Sequence, residues 1–199
     1  MDKELAFESK RKLVHVILTS YPLFFIYFDL QVQLALALST SFFIVWVGSE
    51  ILRVRYNLNT PTAFLIRRVS RTKMNGTLRK EWKRIRIPFW IISLTIAIAF
   101  SNYLLLLAAS VTLTFGDTAS AIARRALNRT DPIVGFLFGV FISAVIIYMA
   151  TSNLLIALIP PIAGMAGEFI SKKVDDNLTI PLFASLGFMA LQILMFHTF

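Results

Sequence analysis

Seven stretches of apolar residues, separated by shorter polar segments, dominate the pattern of the chain. A transmembrane helix needs roughly 20 mostly apolar residues, with a range of about 17–25. The first, third and fourth stretches are short by apolar count alone, and flanking residues are expected to extend them. The predicted spans are 13–28, 32–52, 87–100, 103–115, 133–150, 153–169 and 178–196. The pattern predicts an all-α, polytopic integral membrane helical bundle, with 1–199 forming one membrane-embedded domain.

The composition excludes a simple soluble globule. Hydrophobic residues make up 57% of the chain, charged residues 16%, and the mean hydropathy is +0.71. Ordinary soluble domains are about 45–50% apolar and about 25% charged. A chain of this size has too little interior to bury the excess apolar surface. Cysteine is absent, which excludes disulfides, thiolate metal ligands and cysteine nucleophiles.

The basic residues predict the orientation in the membrane. With the N-terminus in the cytoplasm, all 20 Lys and Arg residues fall in the N-terminal tail or in the connections near 53–86, 116–132 and 170–177. Cytoplasmic segments of membrane proteins carry such an excess of basic residues. The rule accounts for the net charge of +9 without a nucleic acid partner. It also predicts a C-terminus on the opposite side and a multi-pass topology.

The connection 53–86 is predicted to lie on the membrane surface. It holds 11 basic residues against one acidic residue, Glu81. Leu78, Trp82 and Ile85 recur at the spacing of one helix face, and basic residues fill most positions between them. This pattern is typical of an amphipathic helix on the anionic cytoplasmic leaflet. A solvated basic loop is the alternative interpretation.

Polar residues close to membrane spans are functional candidates, because burying them in lipid is costly. The first group is near the N-terminus, where Arg11 and His15 share a helix face. Lys12 is one position further and is able to pair with Glu8. The alternatives are a basic flank at an inner helix end and a buried histidine with ordinary hydrogen bonds.

The second group follows the fourth apolar stretch. Gly116 is predicted to end that span, and Asp117 to open a short helix, with a plain N-cap as the alternative role. Arg124 lies two turns later, roughly on the same face. The other polar or basic members are Thr118, Ser120 and Arg125. A carboxylate, a helix N-terminus and two guanidinium groups together suit a magnesium–polyphosphate ligand.

The third group lies before the last apolar stretch. Glu168 precedes Asp175 by seven residues, and Asp176 and Asn177 follow directly. Adjacent carboxylates repel each other, and a divalent cation relieves that repulsion. The alternative is a solvated turn in which Asp176 or Asn177 caps the last helix.

Three segments resemble, in the same order, the dolichol kinase and phytol kinase family of CTP-dependent membrane lipid kinases. Residues 11–15 (RKLVH) resemble the family's Arg-Lys-x-x-His motif. Residues 116–120 (GDTAS) are similar to its Gly-Asp-Thr-Ala-Ala/Ser nucleotide motif. Glu168 followed by 175–182 (DDNLTIPL) is similar to its Glu-x₆-Asp-Asp-Asn-Leu-Thr-x-Pro-Leu motif, the most specific of the three.

The resemblance implies an enzyme that transfers the γ-phosphate of CTP to the hydroxyl of an isoprenoid alcohol of the dolichol, geranylgeraniol or phytol type. The reaction would occur at the cytoplasmic face of the bilayer with Mg²⁺. Asp117, Asp175 and Asp176 would serve the metal and, with Glu168, the catalysis. The residues implied to bind nucleotide or phosphate are Arg11, Lys12, His15, Thr118, Ser120, Arg124, Arg125 and Asn177.

One segment departs from the family. The family's nucleotide motif continues through a glycine-containing stretch to Lys-Ser/Thr-x-Glu-Gly, whereas this chain keeps Gly135 but lacks the lysine and glutamate. Two alternative functions stay open. One is a CTP-dependent cytidylyltransferase that makes a CDP-activated lipid. The other is a transporter or a non-catalytic membrane protein, although transporter sites usually lie near the bilayer midplane.

Overall fold

Helices form every regular element that the computed structural model of the chain describes. The described residues are 9, 12, 13, 16, 17, 20–28, 31–56, 58, 60, 102–127, 131–170 and 176–197. Their α-helices are α1 (Tyr21–Tyr27), α2 (Val32–Tyr56), α3 (Tyr103–Val111), α4 (Asp117–Ala126), α5 (Pro132–Thr151), α6 (Leu154–Ile170) and α7 (Asp176–His197). The prediction of an all-α fold is confirmed for this part of the chain.

Among the described residues, three helices are long and apolar enough to cross a membrane. They are Tyr103–Ala126, Pro132–Thr151 and Asp176–Met195, and they are compatible with a membrane protein. The second and third coincide with the predicted spans 133–150 and 178–196. The first is nearly twice as long as the predicted span 103–115, because the helix continues beyond Gly116. Seven spans therefore stay a prediction.

The remaining predicted spans have mixed outcomes. The predicted span 153–169 is helical as α6, and its apolar segment Leu154–Phe169 is shorter than a full span. The predicted span 32–52 is helical as α2, whose apolar segment Ala37–Ser49 is also shorter than a full span. Of the predicted span 13–28, α1 covers the last part. The predicted span 87–100 lies outside the described residues, as does the basic connection 53–86 beyond its first residues.

Two asparagines start helices at one end of the bundle. The Asn102 side chain accepts hydrogen bonds from the backbone N–H groups of Leu104 and Leu105, at 3.0 and 3.1 Å. Asn153 caps α6 in the same way. Such caps satisfy donors that would otherwise lack partners at a helix start. Ser152, with a φ of 51°, makes the tight turn between α5 and α6.

The core lies between the last helices. α6 packs against α7 and α5, α4 packs against α5, and α3 packs against α7. Glycines allow these close approaches: a Cβ added to Gly187 in α7 would lie 2.7 Å from Cβ of Ala163 in α6. Small residues at helix contacts are typical of membrane proteins, where helices associate by close packing.

A second glycine contact joins the α3–α4 segment to α5. A Cβ added to Gly139 would lie 3.0 Å from the carbonyl oxygen of Gly116, and one added to Gly116 would lie 2.5 Å from Oγ of Ser143. On α5 the small residues follow the spacing Gly135, Gly139, Ser143. This spacing places them on one helix face, so the two backbones approach closely along it.

The substitution Gly139→Val is expected to lower stability. The new side chain would press on the backbone oxygen of Gly116, and overpacking of this kind costs about 1–3 kcal/mol. The matched control is Gly48→Val in α2, where an added Cβ meets no atom of the described structure within 4 Å. The stabilities of the two variants are compared by their melting temperatures in detergent micelles. Equal melting temperatures for the two variants would contradict the close contact.

Candidate functional site

A π-helical turn at Thr112–Gly116 joins α3 to α4 without a break. The backbone N–H of Asp117 donates to the carbonyl oxygen of Thr112, five residues earlier. Gly116 has helical φ and ψ angles of −64° and −53° and makes no side-chain cap. The prediction that Asp117 opens a short helix agrees with the start of α4, whereas the prediction that the preceding helix ends at Gly116 is wrong, because helical structure continues from α3 into α4 without a break. π-turns are frequent at functional sites, where the extra residue re-orients the side chains that follow.

Asp117 forms a buried ion pair with Lys12. The Lys12 Nζ lies 2.5 Å from Asp117 Oδ2, and the two side chains are 5% and 9% exposed. Lys12 is thus held by a residue 105 positions away in the sequence. Glu8, the partner considered from sequence, lies outside the described residues. Buried charges require a partner of this kind, because an unpaired charge in the interior is strongly destabilising.

A second ion pair lies close to the first. The Arg124 Nη2 donates to Glu168 Oε1 at 2.8 Å, which links α4 to α6. The Arg124 side chain is 31% exposed and that of Glu168 13% exposed, so this pair is more open than the first. Glu168 also lies within electrostatic range of Asp117 and Lys12. The four side chains form one cluster of alternating charge, called here the charge cluster.

Gly135 provides the space in which Arg124 lies. A Cβ at this position would lie 2.9 Å from both Cδ and Nε of Arg124 and 2.6 Å from Oγ of Ser120. The Ser120 hydroxyl is fully buried and has no hydrogen-bond partner among the described residues. Next to these residues, the rings of Phe136 and Phe169 meet edge to face at 5.6 Å and connect α5 with α6.

The other candidate residues have varied positions. The Thr118 hydroxyl donates to the carbonyl oxygen of Thr114 at 2.6 Å, a bond within its own helix. Asp176 and Asn177 are half-buried in the first turn of α7, and each has interaction partners. Arg125 is half-buried on α4. Arg11, His15 and Asp175 lie outside the described residues, so their predicted roles stay predictions.

Within the described part of the chain, no group of three or more His, Asp or Glu side chains comes together as a metal site. Mg²⁺ often needs only one or two protein carboxylates when substrate phosphates supply further oxygens. Asp117 is a suitable oxygen donor in type, although one of its oxygens contacts Lys12. Its fit to Mg²⁺ therefore depends on the nucleotide as a co-ligand.

Sequence reasoning missed the pairing of Arg124 with Glu168 and the role of Gly139. The pairing joins residues 44 positions apart and depends on how α4 and α6 face each other. The glycine contact had a visible signal, because Gly135, Gly139 and Ser143 recur every four residues. A small residue at every fourth position predicts a close helix contact on that face.

Comparison of the chain with protein families, with curated proteins and with solved structures gives no match.

Proposed function

We propose that this chain is a membrane lipid kinase that transfers the γ-phosphate of CTP to the hydroxyl of an isoprenoid alcohol at the cytoplasmic face. The charge cluster carries this proposal, since it brings together residues from all three motifs that resemble the CTP-dependent lipid kinases. Lys12 belongs to the first motif, Asp117 to the second and Glu168 to the third.

Phosphoryl transfer requires mainly positioning and neutralisation of phosphate charge. Arg124 presents a planar guanidinium group with several donors, the geometry that binds phosphate oxygens best. Lys12 and Arg125 add positive charge, and Arg11 and His15 are proposed to contribute from the same N-terminal segment. Ser120 offers a hydroxyl to a phosphate oxygen, and Thr118 and Asn177 are proposed as further nucleotide contacts.

Asp117 is proposed to hold Mg²⁺ together with Asp175 and Asp176. The ion held by these residues would supply positive charge that neutralises the charge developing on the phosphates during transfer. Mg²⁺ in nucleotide sites is usually held by one or two protein carboxylates together with substrate phosphates, so these three aspartates are sufficient. Either Glu168 or one of these aspartates is proposed to accept the proton of the attacking lipid hydroxyl.

The outer faces of the helices favour a lipid substrate. On α5, Leu137, Phe141 and Met149 are exposed by 58%, 62% and 80%. On α7, Leu186 and Leu194 are exposed by 51% and 64%. Exposed apolar patches of this kind mark contact with a bilayer or another apolar partner. A prenol in the bilayer would therefore approach from the apolar face with its hydroxyl at the interface.

The substitution Gly135→Ala is expected to lower lipid phosphorylation by about tenfold, the scale of effect seen when residues that orient a site are changed. The added methyl group would displace Arg124 and Ser120, which lie within 3 Å of its position. Gly48→Ala is the control, because it adds the same group in open space. Initial rates with a prenol acceptor check this. Equal rates for the two variants would show that the position of Arg124 is unimportant.

The proposal is tested by the lipid dependence of nucleotide consumption. Purified protein in detergent micelles with Mg²⁺ and CTP should release CDP only when a lipid alcohol is present. Release of pyrophosphate with a lipid phosphate acceptor would instead indicate a cytidylyltransferase. A lack of lipid-dependent turnover with any nucleotide would contradict the kinase and leave a transporter or a non-catalytic role.

A further inference from the structure

The pair of Arg124 and Glu168 uses only part of the hydrogen-bonding capacity of the arginine. A guanidinium group has five N–H donors, and among the described residues only Glu168 accepts from it, through Nη2. The arginine side chain is also 31% exposed, so a soluble ligand is able to reach it. Arg124 can therefore gain bonds by moving towards an anion with several acceptor oxygens.

A second polar group with unused hydrogen-bonding capacity lies next to Arg124. The Ser120 Oγ is fully buried without a partner in the described structure, and both it and Arg124 Nε border the position that a Gly135 side chain would fill. Buried hydroxyl groups are nearly always hydrogen-bonded in folded proteins. A buried donor beside a partly exposed guanidinium group suits a phosphate oxygen.

The burial of the two ion pairs determines which of them an incoming anion is able to separate. Lys12 and Asp117 neutralise each other in the interior, and separating them would break a contact between two buried charges. The Arg124 and Glu168 side chains are 31% and 13% exposed, so water and an incoming anion reach this pair more easily than the first. The Arg124–Glu168 pair is therefore the one that an incoming phosphate separates.

We propose that the phosphates of CTP replace Glu168 as the hydrogen-bond acceptors of Arg124, with Ser120 as an additional donor. This exchange of partners leaves the Glu168 carboxylate free to act as the base. This inference rests on the proposed function and adds the order in which the substrates bind: the nucleotide binds before the lipid. The freed carboxylate accepts the proton of the lipid hydroxyl. The hydroxyl oxygen forms a bond to the γ-phosphorus, the bond from that phosphorus to the β,γ-bridging oxygen breaks, and CDP leaves.

The exchange is tested by whether the Glu168→Gln variant binds Mg²⁺–CTP more tightly or more weakly than the wild type. Glu168→Gln removes the charge that competes for Arg124 while preserving side-chain size, so the Kd for Mg²⁺–CTP should fall by roughly two- to fivefold. The control is Asp131→Asn, which removes a carboxylate from the start of α5, where it caps Ile133. Asparagine caps helices as well as aspartate does, so the control should change the Kd by less than about twofold.

A weaker affinity in Glu168→Gln would overturn the exchange, because it would mean that Glu168 positions Arg124 for the nucleotide. An equal gain in both variants would also overturn it, since only general electrostatics would remain. These outcomes leave the lipid kinase intact if the wild type still phosphorylates a prenol. A wild-type protein that binds no CTP would contradict the proposed function itself.

A second measurement uses only the wild-type chain. Binding of geranylgeraniol should strengthen by about tenfold or more when a CTP analogue with a methylene group between the β- and γ-phosphorus atoms is present. The freed carboxylate would then accept a hydrogen bond from the alcohol, and bonds to charged groups are worth about 1.5–3 kcal/mol. Equal binding with and without the analogue would overturn the predicted order.

Discussion

Lipid phosphorylation is expected to fall by about 10²–10³-fold in Asp117→Asn, the range for removal of one electrostatic group from a reaction site. Asp117 is buried next to a π-helical turn and contacts Lys12, so the carboxylate is held in a fixed position. The amide keeps the shape but loses the charge that is proposed to hold Mg²⁺. Initial rates with CTP and a prenol in detergent micelles measure the effect.

The control for this prediction is Asp131→Asn. It makes the same chemical change at an exposed helix cap, where asparagine is an equally good residue, so its rate should match the wild type. Asp176→Asn should also lose activity, because Asp176 is proposed to share the metal with Asp117. If Asp117→Asn and Asp176→Asn both kept near wild-type rates in folded protein, the proposed site would be wrong.

Stability should fall by about 3–5 kcal/mol in Lys12→Met, the cost of removing one partner of a buried ion pair. Methionine fills a similar volume but removes the positive charge that contacts the buried Asp117 carboxylate. In a chain of this size each kcal/mol corresponds to about 2–4 °C of melting temperature. Thermal unfolding in detergent micelles, followed by circular dichroism, measures the loss.

The double variant Lys12→Met, Asp117→Asn separates stability from activity. With both charges of the pair removed, neither is left in the interior without the other, so the double variant should be more stable than either single variant. Its lipid phosphorylation should stay as low as that of Asp117→Asn. Stability losses that simply add would contradict a direct pair, since contacting residues typically couple by about 0.5–3 kcal/mol.

The lengths of the apolar stretches in the sequence predicted several helices well but did not predict the end of every helix. The predicted span 133–150 differs by only a residue or two from α5, because Asp131 and Pro132 start that helix and a left-handed Ser152 ends it. The predicted end at residue 115 was wrong. Polar residues follow it in the sequence, but in the structure they are buried against α5 and the helix continues.

The contacts of the candidate site depend on information that a single sequence holds only weakly. Motif order indicated that Lys12, Asp117 and Glu168 belong to one site, and the structure brings these three into one cluster. The partners within it were not predicted, because they depend on the rotation of each helix about its axis. The π-helical turn changes that rotation at Asp117, and its five-residue hydrogen bond leaves no clear sequence signal.

Transfer of a labelled phosphate to a lipid alcohol would show whether this chain is a lipid kinase. Purified wild-type protein would receive Mg²⁺ and CTP labelled at the γ-phosphate, with a panel of prenols and diacylglycerol, and with ATP and GTP as alternative donors. We expect label on a prenol and CDP as the second product. Label released only as pyrophosphate, or no lipid-dependent transfer from any nucleotide, would contradict the proposed kinase activity.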